Sequence, residues 1–245
     1  MNELLLEKAA VAFRSDNGLN NADPIRLKSL LQKLNVVTFF APLSENFSGM
    51  ALKVNAKKRF MLVNSNQSLG KQHFTICHEL YHLFVQTDFT SQVCSTGKFD
   101  KKADKNEYNA DVFASYLLLP TDGLLENIPN EEIEKKKISL KTILYIEHFY
   151  SCSRRALLYR LKQLKLIAST EYDAFILNIQ RGALENGYAV DLYKNGNHKV
   201  VIGDYGIIAK QLFDNETVSE SHYYSLLADL GIDITKIDET EHGED

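Results

Sequence analysis

Apolar residues recur at two different spacings along this chain, and the points where the spacing changes mark out its elements. Residues 3–14 are helix formers almost without interruption, and Ser15-Asp16-Asn17-Gly18 supply the turn chemistry that ends them. A second helix is predicted to start at Pro24, with Asp23 as its cap, and to run through Leu27, Leu30, Leu31 and Leu34. The period then shortens. Val36-Val37-Thr38-Phe39-Phe40, residues 47–54 and residues 59–64 are β-branched or aromatic runs, and the polar Asn55-Ala56-Lys57-Lys58 makes the last two a hairpin. Residues 74–85 return to a helix that is apolar nearly all the way round, which predicts burial. Residues 87–105 are polar, mixed in sign and read as a loop. Residues 106–119 read as a second buried helix, stopped at Pro120 and followed by a turn at Thr121-Asp122-Gly123.

Beyond Pro120 the character changes. The charge run Glu131–Lys137 reads as a solvated helix or linker, and Ser139 as the cap of a helix over Leu140, Ile143 and Leu144. After a break at Ser151-Cys152-Ser153, a further helix carries Leu157, Leu158, Leu161 and Leu164 together with Arg154, Arg155, Arg160, Lys162 and Lys165. Two helices about a tight turn read as helix-turn-helix-like. From 171 to 237, helical patterns flank a strand-like or loop region at 188–202, which contains a hairpin-turn signal at Tyr193-Lys194-Asn195-Gly196-Asn197. The expected organisation is α+β: a first domain over 1–128, a helix-turn-helix-like segment over 129–170, a small regulatory or partner-binding module over 171–237, and a disordered acidic tail over 238–245.

Composition adds boundaries. The 245 residues are 44% hydrophobic and 24% charged, an ordinary globular balance. No apolar run is long enough for a membrane span and no signal segment opens the chain, so no membrane association is expected. Cys77, Cys94 and Cys152 are odd in number and irregularly spaced, which fits a reducing cytoplasm better than a disulfide framework. Cys77 reads as a small buried hydrophobe. The formal net charge of −4 argues against the whole molecule being a nucleic-acid surface. The basic helix over 153–165 is accordingly read as a packing helix with a basic solvent face rather than a major-groove element.

The chemistry sits in the apolar helix. His78 and His82 stand four apart, so both rings leave one helical face a turn apart, and two imidazoles can take two corners of a tetrahedral zinc site. Glu79, beside the first histidine, is placed as a general base toward water. The alternative is two core histidines satisfied by carbonyls, with Glu79 on an exposed flank; it leaves three polar side chains on one apolar helix, each needing its own partner. A catalytic zinc needs a third protein ligand. Glu107 and Asp111 are also four apart on a buried helix. Glu107 can be that ligand, while Asp111 accepts a hydrogen bond from the free ring nitrogen of a ligand histidine and fixes its tautomer.

These two motifs, Phe74-Thr75-x-x-His78-Glu79-Leu80-x-His82-Leu83 and Glu107-x-x-Ala110-Asp111-x-Phe113-Ala114-x-x-Leu117-Leu118-x-Pro120, resemble the ImmA/IrrE metallopeptidases over roughly residues 20–170. The resemblance implies a zincin-like, gluzincin-type zinc protease. Its metal is held by His78, His82 and Glu107, and Glu79 is the general base. It also implies a small antiparallel sheet before the metal helix, whose exposed edge can bind an extended substrate by strand addition. The implied substrate is a DNA-binding repressor that controls a mobile element or stress response. Two positions depart from the family: Tyr81 stands where Gly is usual, and His73 where Arg is common.

The expected function is therefore that of a cytoplasmic zinc endopeptidase, with Tyr81, Tyr108 and Tyr116 as available phenols for the tetrahedral oxyanion. Two readings compete. One is a transcription regulator that binds DNA through residues 153–165; the other is a metal-stabilised protein that binds a repressor without cutting it. Glu79 favours the enzyme, because a structural zinc site has no use for a general base. Structural sites also tend to be closed by four protein ligands, often Cys, and no cysteine here has the required spacing.

Overall fold

A computed structural model of the chain describes residues 2–231 apart from residues 56, 57, 90, 101 and 103, so the tail expected at 238–245 lies outside the described residues. Two helices, α1 (Glu3–Asp16) and α2 (Leu27–Lys33), precede the strands β1 (Val36–Ala41), β2 (Gly49–Lys53) and β3 (Arg59–Asn64). Next come α3 (Leu69–Phe84), a short strand β4 (Ser91–Cys94) and α4 (Lys105–Leu118). Four helices follow: α5 (Thr121–Asn127), α6 (Asn130–Lys135), α7 (Leu140–Tyr150) and α8 (Arg154–Gln163). The last described stretch holds α9 (Ser169–Phe175), α10 (Ile179–Glu185), β5 (Val201–Ile202), α11 (Tyr205–Asp214) and α12 (Glu220–Asp229).

The sheet runs in the order β4-β2-β3-β1-β5. β2 pairs antiparallel with β3, the expected hairpin, and on its other side with β4, where Gly49 faces Cys94. β1 pairs parallel with β3 and antiparallel with β5. The sheet is thus mixed, and the expectation of a purely antiparallel one is corrected. The chain leaves β1, crosses over residues 42–48 to the far side of β3 and only then turns back. Buried Asn64 pins that crossover: its amide donates to the carbonyls of Ser44 (2.9 Å) and Phe47 (2.7 Å) and accepts from the Leu43 N–H. Val36, Val37, Thr38 and Phe40 are all buried, so β1 is covered on both faces, as a central strand should be.

α3 packs on the sheet and against α4, and α1 covers α4. Arg14, on α1, is buried and donates twice to the Leu117 carbonyl (3.0 and 2.7 Å), satisfying an acceptor in the last turn of α4. Its remaining nitrogen binds the carbonyls of Asn20 and Asp23, while the Tyr150 hydroxyl takes that of Ala22. This holds residues 20–23 out of helical geometry, and α2 starts at Leu27 rather than at the expected Pro24. The predicted turn at 121–123 is instead the first turn of α5. Gly123 is there for closeness rather than bending: a Cβ would fall 2.1 Å from the Tyr150 hydroxyl and 2.5 Å from the Ala22 carbonyl.

Ser139 and Ser153 cap α7 and α8, and Ser151, at φ 52°, makes the tight turn between them. Two of the five basic residues expected on a solvent face point inward. Arg154 is 3% exposed and grips Glu147 through Nε (2.5 Å) and Nη2 (2.8 Å); Arg160 is 1% exposed and donates to the Leu119 carbonyl and the Thr121 hydroxyl. Arg155, Lys162 and Lys165 remain exposed. The later segment meets the metal helix directly. The Leu69 N–H donates to the Lys194 carbonyl (2.8 Å), the Gln72 amide donates to the Gly196 carbonyl (3.1 Å), and Asn197 donates back to Gln72 (2.9 Å). Among the described residues no helix is long and apolar enough to cross a membrane.

Candidate metal centre

The burial predicted for residues 74–85 places His78, Glu79 and His82 at 0% exposure. The Nε2 atoms of the two histidines face one another at 3.1 Å. Behind His78, Asp111 Oδ1 accepts from Nδ1 at 2.9 Å; behind His82, Gln86 Oε1 accepts from Nδ1 at 2.5 Å. Each Nδ1 thus has an acceptor behind it, and both Nε2 atoms turn into the same space. Glu107 closes it from α4, with Oε2 at 3.4 Å from His78 Nε2 and Oε1 at 3.3 Å from His82 Nε2. Asp104 fixes its position by capping α4, accepting from the Asn106 and Glu107 N–H groups.

Two imidazole nitrogens 3.1 Å apart need a proton or a cation between them. Zinc-length bonds in a tetrahedron separate donors by roughly 3.3–3.8 Å. The two separations to Glu107, 3.3 and 3.4 Å, fall in that range, and the 3.1 Å between the imidazoles lies just below it. The electrostatics agree. Burial alone depresses the His78 imidazole, but its bonds to Asp111, Cys94 and Glu107 outweigh this and hold its pKa well above the ordinary value. Burial works to raise Glu107, yet the hydrogen bonds from His78 and His82 prevail and hold it well below the usual carboxylate range. The donor set fits a divalent cation.

Glu79 lies under β2. A Cβ on Gly49 would come within 2.8 Å of its Oε1, so only glycine lets the strand approach this closely. That Oε1 has no hydrogen-bond partner among the described residues, an uncommon state for a buried carboxylate. Burial pushes the Glu79 pKa up to about 7, against the pull of His78 and His82.

Sequence reasoning missed two residues. Gln86 supports His82 from just beyond the helix end. Cys94 Sγ lies 3.6 Å from Glu79 Oε2, 3.6 Å from His82 Nε2 and 3.5 Å from Glu107 Oε1. Cys94 thus joins the centre without the ligand spacing expected of a cysteine donor, and residues 87–105 are not loop throughout: β4 lies within them, and strand pairing rather than local spacing delivers the thiol. One signal was available, since a cysteine inside a polar stretch is out of place for so commonly buried a residue. Asp111 has a second task as well, accepting from the Gly97 (2.8 Å) and Phe99 (2.9 Å) N–H groups.

The three phenols are engaged elsewhere. Tyr81 is buried against Phe113 and the flank of His82, Tyr108 donates to Glu3, and Tyr116 lies under the Arg160 guanidinium. His73 donates to the Ser151 carbonyl and ties α3 to the α7–α8 turn. Cys77 is fully buried, its thiol pushed up to about 12 by burial, in keeping with a packing role.

Two imidazoles a turn apart on a water-excluding helix, with carboxylates beside and opposite them, define the metallopeptidase class. A family model described as Peptidase_M78, IrrE N-terminal-like domain, matches residues 31–162, more than half of the chain, and the protein belongs to that family. The matched span contains every donor described above and runs through most of α8. The comparison with curated proteins found no match.

Proposed function

We propose that this protein is a zinc-dependent endopeptidase that cleaves a DNA-binding repressor, probed most directly at Glu79. The observation that carries the reading is a fully buried carboxylate, with one oxygen unpartnered, set against a cluster of metal donors. In the fold such an oxygen is a cost; in catalysis it is a proton acceptor held ready. His78, His82 and Glu107 are the residues that would hold the cation, and Asp111 and Gln86 orient the imidazoles. Zinc, when bound, supplies Lewis acidity that polarises a peptide carbonyl and acidifies water. Glu79 takes the proton from the attacking water and returns it to the departing amine, and its burial, which disfavours the charged form, makes it a stronger base than an exposed carboxylate. The outer edge of β4 is the sheet edge nearest the centre and is suited to an extended segment of a repressor. The absence of any disulfide among the described cysteines accords with work in the cytoplasm.

A second reading has one observation in its favour. Cys94 supplies a possible fourth protein donor, and four-donor sites are commonly structural. On that reading the protein regulates by binding a repressor without cutting it. Direct DNA binding gains less, because Arg154 and Arg160 are spent inside the fold.

Glu79→Gln separates the first two readings. It should leave zinc content and fold unchanged while lowering cleavage of repressors encoded beside the gene by about 10²–10⁴-fold, read by intact mass. Reporter derepression should be lost in parallel. If derepression persists in Glu79→Gln cells, the protein acts by binding and the peptidase reading fails.

A further inference from the structure

The donor cluster has a fourth corner, and the protein fills it. Cys94 is 1% exposed, and its sulfur, the two imidazole Nε2 atoms and the Glu107 carboxylate all lie within 4.8 Å of one another. The Cys94 separations, 3.5 Å to Glu107 and 3.6 Å to His82, are slightly longer than those between the other three donors, as the longer zinc–sulfur bond requires. We infer that Cys94 is a fourth protein ligand, so that the resting metal centre is a closed site of two histidines, one glutamate and one cysteine. This inference rests on the metal-binding part of the proposed function, and goes beyond it in making the peptidase latent.

The position is built into the fold from both sides. Upstream contacts come from the β2–β4 ladder, where the Ser48 N–H donates to the Cys94 carbonyl at 2.9 Å. Downstream, the Thr96 N–H donates to the Ser48 hydroxyl (3.2 Å) and the Thr96 hydroxyl bonds that of Thr75 on α3 (3.0 Å). Asp111, which orients His78, also holds the N–H groups of Gly97 and Phe99. The backbone that carries Cys94 is thus fastened to the same elements that carry the other donors.

Chemistry gives the arrangement two consequences. A soft thiolate shifts the donor set toward zinc or cobalt and away from magnesium or manganese. It also takes the position that a catalytic zinc leaves for water, so Glu79 faces sulfur where it needs a water molecule. A purely structural site would not retain Glu79, whose buried, half-unpartnered carboxylate only costs stability there. With the backbone pinned, the shortest route to an open site is rotation of the Cys94 side chain about Cα–Cβ, which withdraws the sulfur and leaves the strand in place.

Cobalt(II) substitution of the full chain tests this. The wild type is expected to bind one cobalt with an intense thiolate-to-cobalt charge-transfer band in the near ultraviolet. Cys94→Ser should bind cobalt at least tenfold more weakly and lack the band at saturation. Acetohydroxamate should shift the visible spectrum of Cys94→Ser and leave that of the wild type unchanged. A wild-type cobalt protein without the band, or a band that survives in Cys94→Ser, overturns the inference while leaving the metal centre intact. Equal shifts with acetohydroxamate overturn the closure. Failure of the wild type to bind cobalt or zinc at all overturns the metal centre and the proposed function with it. Should Cys94→Ser not fold, the wild-type band decides, together with peptide mapping of which thiol the bound metal protects from alkylation; protection elsewhere than at Cys94 counts against the ligand.

Discussion

Asp111 and Glu107 sit one turn apart on α4 and meet the histidines from opposite sides. Glu107 reaches both Nε2 atoms, whereas Asp111 reaches His78 from behind, at Nδ1. Removing charge from Glu107 takes away a donor; removing it from Asp111 loosens a tautomer and the loop through Gly97 and Phe99. Asp111→Asn is expected to retain zinc with roughly 10–100-fold weaker affinity. Glu107→Gln should weaken binding further, both read by competition with a chromophoric chelator. The reverse ranking would exchange their roles. Glu79 offers a second measurement at this scale. In the metal-free protein its pKa is raised from 4.5 to about 7, so the native state holds the proton longer than the unfolded chain. The stabilisation is fully present below pH 4.5, falls as pH rises and is gone above 7. Over that window metal-free wild type should lose roughly 3 kcal/mol more than metal-free Glu79→Gln, measured by urea unfolding at both ends. Parallel losses in the two proteins would show that Glu79 ionises normally.

Between elements, the buried pair of Glu147 and Arg154 joins α7 to α8, and the Tyr193 hydroxyl adds a bond from the later segment at 2.8 Å. Burial raises Glu147 despite Arg154 beside it. Arg154→Met leaves that carboxylate without its cation and should cost about 3–5 kcal/mol, whereas Arg154→Met with Glu147→Leu should recover most of the loss. Thermal denaturation of the single and double variants checks this; equal destabilisation would mean that packing, not charge, holds the helices. The same scale shows what the amino-acid order discloses. His78 and His82 are local, four residues apart on one helix, and so are Glu107 and Asp111; helical periodicity alone puts each pair on one face. Cys94 arrives through a strand register with Gly49, forty-five residues earlier in the chain, and no local spacing encodes it. The parallel pairing of β1 with β3 was hidden for the same reason, since it depends on where the 42–48 crossover lands and on the Asn64 amide that pins it. Arg154 and Arg160 look like surface charges until their acceptors, Glu147 and the Leu119 carbonyl, are brought near by folding.

At the scale of the molecule, the segment after residue 170 shares the sheet and the metal helix. β5 covers the outer edge of β1, and residues 194–197 hold the start of α3 through Leu69 and Gln72. A chain ending at residue 170 should expose the β1 edge, melt below the full protein and associate through the free strand, visible in light scattering. An unchanged melting temperature would show that the segment is dispensable to the core.

The Gln72 contact spans 124 residues, from the first turns of the metal helix to Gly196. During synthesis at about 5–20 residues per second, the ribosome releases the second partner roughly 6–25 s after the first. Until then α3 has its histidines but not its clamp. A nascent chain therefore carries all its candidate metal donors while lacking the support that sets the start of their helix, and α3 gains its clamp only after residues 194–197 have been made.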